Sequence, residues 1–151
     1  MDLDRCFIDT NIFLRALIGD NARQTKACDA FFILLRTGRI EASTSSVVLA
    51  EVVWTGLSHY AMEKRDVIES VRSIVSMPHV SLDERTDLQC ALDLYTRHTI
   101  KFVDALIASH PALQAGTLPL LSYDRDFDKL GVKRIEPDEL VRLYAGQKRK
   151  K

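Results

Sequence analysis

The chain has 151 residues, 46% of them hydrophobic and 28% charged, which suits one compact domain with a sizeable core and argues against wholesale disorder. Lys and Arg number 21, matching 21 Asp and Glu, so whole-chain charge neither advertises nor excludes a nucleic-acid partner. Cys6, Cys28 and Cys90 are widely spaced and odd in number, against a disulfide framework or structural zinc site, and no apolar stretch approaches a membrane span. A reducing cytoplasm, with no membrane contact, is the expected setting.

In chain order, short apolar segments alternate with longer helical patterns. Arg5 to Ile8 reads as a buried first strand, and Asp9-Thr10-Asn11 marks its turn into a helix over Ile12 to Leu17. Gly19 and Asp20 break that pattern. Ala22 to Leu35 carries apolar residues at helical spacing, with Gly38 as a stop, and Ile40 to Ala42 suits a short strand. Ser45 and its neighbours can cap a helix over Val47 to Tyr60, and Met62 to Val75 continues as its hairpin partner, closed by Pro78.

A strand at His79 to Ser81, a helix over Asp83 to Arg97, another over Lys101 to Ser109 and a strand over Leu118 to Ser122 follow. Pro111 predicts a break or restart near His110. Val132 to Ile135 ends the sheet pattern, Pro137 to Tyr144 reads as a final helix, and residues 146–151, with Lys148, Arg149, Lys150 and Lys151, form a basic tail expected to be disordered. The alternation predicts a mainly parallel sheet covered by helices, in one domain over residues 1–145. Ligands of such sheets gather beyond the carboxyl ends of the strands.

Asp9, Glu51, Asp104 and Asp124 each lie inside or at the end of an apolar run. An ionised carboxylate removed from water costs several kcal/mol, so such groups carry a cation or stay protonated. Asp9 could instead cap the helix that follows, Asp104 could complement a helix dipole, and Asp124 could belong to a polar turn. Glu51 has Val47, Val48, Trp54 and Thr55 as helical neighbours, none of them cationic. Gathered together, the four would repel one another and favour a divalent metal, and an oxygen-only set favours magnesium or manganese over zinc. His59, His79, His98 and His110 lack metal-ligand spacing.

Phe7-Ile8-Asp9-Thr10-Asn11-Ile12, Val48-Leu49-Ala50-Glu51-Val52, Phe102-Val103-Asp104-Ala105-Leu106-Ile107-Ala108 and Leu121-Ser122-Tyr123-Asp124-Arg125-Asp126-Phe127 together resemble the PIN-domain ribonucleases, and most of all the VapC toxins of toxin–antitoxin pairs. The resemblance spans nearly the whole chain and implies a three-layer α/β/α sandwich. It implies that Asp9, Glu51, Asp104 and Asp124 are the catalytic, metal-binding quartet, with Mg²⁺ or Mn²⁺ as cofactor. Asn11 and Ser122, the latter where the family often has Thr, would orient carboxylates or metal-bound water, and Asp126 matches an additional acid of some members. The implied activity is endonucleolytic RNA cleavage leaving a 5′ phosphate. The implied partners are RNA, a cognate antitoxin seated near the hairpin from Val47 through Val75, and a second copy in a homodimer.

Arg15, Arg23, Arg97, Lys101 and Arg125 lie near the acidic motifs and are candidate phosphate contacts. Two other readings compete. A PIN-like RNA-binding or regulatory module would keep the acids without turnover. A receiver-like phospho-acceptor domain also gathers acids at a sheet edge, but Asp9 has no adjacent acid and no lone apolar-flanked Lys follows the last strand.

Overall fold

The structure, a computed structural model, describes residues 3–148. Five strands form one parallel sheet: β1 (Arg5–Ile8), β2 (Glu41–Thr44), β3 (Val80–Leu82), β4 (Leu120–Leu121) and β5 (Arg134–Ile135), in the spatial order β3-β2-β1-β4-β5. Helices cover both faces, giving the expected three-layer α/β/α sandwich. The central strand β1 buries Cys6, Phe7 and Ile8 in succession, because a parallel strand packed on both faces needs apolar side chains on each.

Between β1 and β2 run α1 (Thr10–Ile18) and α2 (Ala22–Arg36). Gly19 ends α1 in the left-handed conformation, φ 70°, and donates its N–H to Arg15 O, while the Asn21 side chain caps α2 by accepting from Gln24 N–H. The hairpin of α3 (Ser46–Ser58) and α4 (Lys64–Val75) joins β2 to β3. Ser45, one of the three hydroxyl residues before that run, supplies the α3 cap by accepting from Val48 N–H.

Three helices lead from β3 to β4: α5 (Leu88–Arg97), α6 (Phe102–Ala108) and α7 (Pro111–Gln114). The break expected at His110 separates α6 from α7, with Pro111 in the first turn and His110 Nδ1 accepting from Ala112 N–H. Helix α5 starts later than the predicted Asp83. Residues 83–87 are committed elsewhere: Asp83 binds Arg85 and lies 2.9 Å from His110 Nε2, Glu84 accepts from Ser46, and Asp87 caps α5.

A 3-10 helix (Arg125–Lys129) follows β4, and α8 (Pro137–Lys148) follows β5. Helix α8 runs past the predicted end at Tyr144, so residues 146–148 of the expected tail are helical, and 149–151 lie outside the described residues. The core joins Leu3 to Tyr144 in one cluster containing Phe7, Phe13, Phe31, Leu35, Leu121 and Phe127. Burial of each such side chain contributes roughly 1.5–3 kcal/mol before entropy opposes it.

This order positions the site. The chain leaves β1 towards β2 and β3, then returns to the other flank of β1 as β4. Connections from β1 and β4 therefore diverge, opening a crevice at their carboxyl ends where Asp9 and Ser122 emerge.

Candidate active site

The two strand ends are joined first. Asp9 N–H continues the ladder by donating to Leu121 O at 3.1 Å, and Thr44 at the end of β2 donates its buried hydroxyl to Ile8 O at 3.0 Å. Asp9 occupies the N-cap position of α1, yet its carboxylate makes no cap hydrogen bond. Oδ2 instead accepts from Ser122 Oγ at 2.6 Å and from Asn11 Nδ2 at 3.0 Å.

Every donor in this group has a defined destination. Asn11 Nδ2 also donates to Ser122 Oγ, Asn11 Oδ1 accepts from Tyr123 N–H, and Ser122 Oγ accepts from Asp124 N–H, each at 3.0 Å. A hydroxyl has one proton and two lone pairs, and a primary amide has two protons, so these bonds use them fully. The network fixes Asp9 Oδ2 and holds the backbone entering Asp124.

Asp104 enters from the first turn of α6 and is buried, 2% exposed. Glu51 enters from α3 and is half-buried. Asp124 caps the 3-10 helix, its Oδ1 accepting from Asp126 N–H at 2.9 Å. Carboxylate oxygens of Asp104, Asp124 and Asp126 lie within 4.8 Å of one another, so Asp126, outside the quartet from sequence, is close enough to share an ion with two of its members. Asp9 and Glu51 lie outside that trio but act on Asp104 electrostatically, as does Asp124.

Burial dominates the electrostatics. It pushes Asp9 up to about 6; the hydrogen bond from Ser122 opposes the shift, while Glu51 and Asp124 add to it. Burial likewise pushes Asp104 up to about 7, against Lys101 and with the help of Asp9, Glu51 and Asp124. Asp9 Oδ1 and Asp104 Oδ2 are both buried without a hydrogen-bond partner. Orphaned carboxylate oxygens among further acids fit a hard divalent cation, which takes oxygen ligands and cancels the repulsion.

Two lysines stand beside these acids, Lys129 against Asp126 at 3.3 Å and Lys101 against Glu51. Lys101 Nζ lies 3.5 Å from Glu51 Oε2, a tertiary partner that a search for helical neighbours could not find. Burial pulls the Lys101 pKa down, but Glu51, Asp104 and Asp124 outweigh it and hold the ammonium above its usual value. Of the other candidate phosphate contacts, Arg15 pairs with Asp20 at 2.9 Å and Arg23 with Asp138 at 3.5 Å. An open groove of about 690 Å³ runs from Glu51 and Lys101 along α3 and α6, past exposed Trp54, Val103 and Leu106.

A profile of the PIN domain matches residues 6–133. The VapC ribonuclease of Aquifex aeolicus (strain VF5) is 26% identical over 132 residues, covering 87% of this chain and 96% of that protein. Among solved structures, VapBC2 from Rickettsia felis, crystallised with a DNA fragment from its promoter, matches with a TM-score of 0.64 and 21% identity over 87% of this chain and 98% of the other. Mycobacterium tuberculosis VapC20, a toxin that cleaves the sarcin–ricin loop, matches with a TM-score of 0.62 and 20% identity over 87% of this chain and 99% of the other.

Proposed function

The chain belongs to the PIN domain family, and on that premise we propose that it is a divalent-metal-dependent endoribonuclease, the toxin of a toxin–antitoxin pair. The observation that carries this reading is the pair of buried, unpartnered carboxylate oxygens, Asp9 Oδ1 at the end of β1, where parallel sheets bind ligands, and Asp104 Oδ2 in the first turn of α6. Buried polar groups ordinarily have hydrogen-bond partners. The VapC relative of Aquifex aeolicus, matched along nearly all of its length, supports RNA as the substrate.

In this reading Asp9, Glu51, Asp104 and Asp124 are the catalytic and metal-binding set, with Asp126 as a further ligand. A bound Mg²⁺ or Mn²⁺ would supply an acidified water nucleophile and stabilise charge developing on the phosphodiester. Asn11 and Ser122 keep Asp9 Oδ2 occupied, leaving Oδ1 uncommitted. Asp9 and Asp104 carry raised pKa values in the metal-free protein, so loading the site releases protons. The reaction lies within residues 1–145, whose core is continuous from Leu3 to Tyr144, and an RNA substrate sets it in the cytoplasm.

Two surfaces suit protein partners. Between α3 and α4 lies an apolar groove of about 350 Å³, lined by Val53, Leu57, Val67 and Ile68 with Lys64 and Arg72 beside them. We assign it to an amphipathic segment of the antitoxin, which VapC-type relatives imply. On α5, Leu88, Leu92 and Tyr95 are exposed, and Tyr95 packs its ring 5.3 Å from exposed Phe102. We assign that stripe to a second copy in a homodimer, and sedimentation of wild-type protein against Leu92→Glu tests it: a monomeric variant supports the assignment, an unchanged dimer removes it.

The function is tested on a mixed cellular RNA pool with Mg²⁺ or Mn²⁺, using EDTA, Asp9→Ala and Asp104→Asn as controls. Cleavage that needs the metal and both acids supports the reading. RNA binding without cleavage by metal-loaded protein would replace it with the non-catalytic module.

A further inference from the structure

Lys101 occupies a position that its local structure does not explain. It is the N-cap of α6, with φ −73° and ψ 146°, and its side chain makes no cap hydrogen bond. The N-caps Asn21, Ser45 and Asp87 all accept a backbone N–H. A lysine has no acceptor to offer, and its charge opposes the positive end of the helix dipole.

Its geometry instead faces the acids. Nζ lies 3.5 Å from Glu51 Oε2, with the lysine side chain 67% exposed and that of Glu51 14% exposed. The ammonium also interacts with Asp104 and Asp124. A pair with one partner so exposed is weak and exchangeable. Lys101 lines the same open groove as Glu51 and Trp54, where a polyanion approaching Asp104 would meet it.

We propose that Lys101 is an exchangeable counter-cation and substrate-binding residue: it neutralises Glu51 while the acids are metal-free, releases Glu51 to a divalent ion, and then grips an RNA phosphate in the α3–α6 groove. This rests on the metal-dependent nuclease reading. A single side chain thereby couples metal loading to RNA binding. Its positive charge opposes the metal before release and attracts the phosphate afterwards, so its removal moves the two affinities in opposite directions.

The experiment compares wild type, Lys101→Met and Lys101→Arg. Titration calorimetry with Mn²⁺ alone reads metal affinity, and fluorescence-detected binding of a short oligouridylate in Ca²⁺ reads RNA affinity at several salt concentrations. Lys101→Met is expected to bind Mn²⁺ about threefold or more tightly at low salt. It is also expected to bind the RNA more weakly, with a salt slope reduced by about 0.7, the share of one phosphate contact on a single strand. Lys101→Arg keeps the charge and restores RNA binding. A packing role alone would move neither affinity in this pattern. Unchanged or weakened Mn²⁺ binding in Lys101→Met, or an unchanged RNA slope, overturns the proposal. Failure of wild type and both variants to bind Mn²⁺ overturns the nuclease reading and this proposal with it.

Discussion

Ser122 Oγ donates a 2.6 Å hydrogen bond to Asp9 Oδ2 across the seam between β1 and β4, joining residues 113 positions apart in sequence. The same oxygen accepts from Asn11 Nδ2 and Asp124 N–H. Ser122→Ala is expected to strip Asp9 of its strongest donor and leave two donors without an acceptor, destabilising the fold by about 1–3 kcal/mol. Urea denaturation measures the loss, and RNA cleavage should fall with it. Full stability and activity in the variant would make the network incidental.

Asp104 gives the metal-free protein an inverted pH dependence. Its folded pKa, about 7, lies above the carboxylate value of 3.8, so between these values the folded state holds the proton more tightly. Stability from this group is present at low pH and lost as pH rises from about 4 to 7. Asp104→Asn removes that loss. In EDTA, the variant should match or exceed wild type at pH 7 and lose its advantage near pH 4. Acid groups remote from Asp104 enter both proteins equally, so the difference between their melting curves reads Asp104 together with the acids coupled to it. A large loss of stability in the variant at pH 7 would identify Asp104 as a structural ion-pair partner instead.

Asp126 joins Asp104 and Asp124 in one acidic trio. Its carboxylate comes within 4.8 Å of those of Asp104 and Asp124, although Lys129 also pairs with it at 3.3 Å. Asp126→Asn should weaken Mn²⁺ binding on the order of tenfold while leaving thermal stability within about 0.5 kcal/mol, as befits an exposed residue. Calorimetry decides: unchanged affinity would restrict the ligands to the quartet.

His110 supplies a control of opposite character. It is 2% exposed, its Nε2 lies 2.9 Å from Asp83 Oδ2, and its Nδ1 accepts from Ala112 N–H, which puts the ring proton on Nε2. His110→Ala should cost about 2–4 kcal/mol through lost packing and an abandoned donor, the Ala112 N–H. Metal affinity of the folded fraction should not change. A selective loss of metal binding would draw His110 into the site.

Much of the fold can be read locally. Cys6-Phe7-Ile8 and Leu120-Leu121 are apolar because parallel strands are buried on both faces. Ser45 caps α3, and Pro111 restarts the chain after α6, as their chemistry predicts. The segment 83–87 resists such reading: its polar residues look like a helical first turn, yet Asp83 lies against His110 and Glu84 accepts from Ser46. Those partners lie far away in sequence, and no periodicity registers them.

The site divides in the same way. Residue identity and order alone were enough to single out Asp9, Glu51, Asp104 and Asp124, because an acid inside an apolar run is costly wherever the run folds. Their family resemblance follows from the same four segments. Tertiary structure decided that Asp9 turns to Ser122 and Asn11 instead of capping α1, that Asp126 joins Asp104 and Asp124, and that Lys101 reaches Glu51. The reason is range. The apolar runs that become buried are legible from neighbours along the chain, whereas a hydrogen bond or ion pair depends on a few ångströms of placement, which the register between β1 and β4 and the packing of α3 on α6 supply.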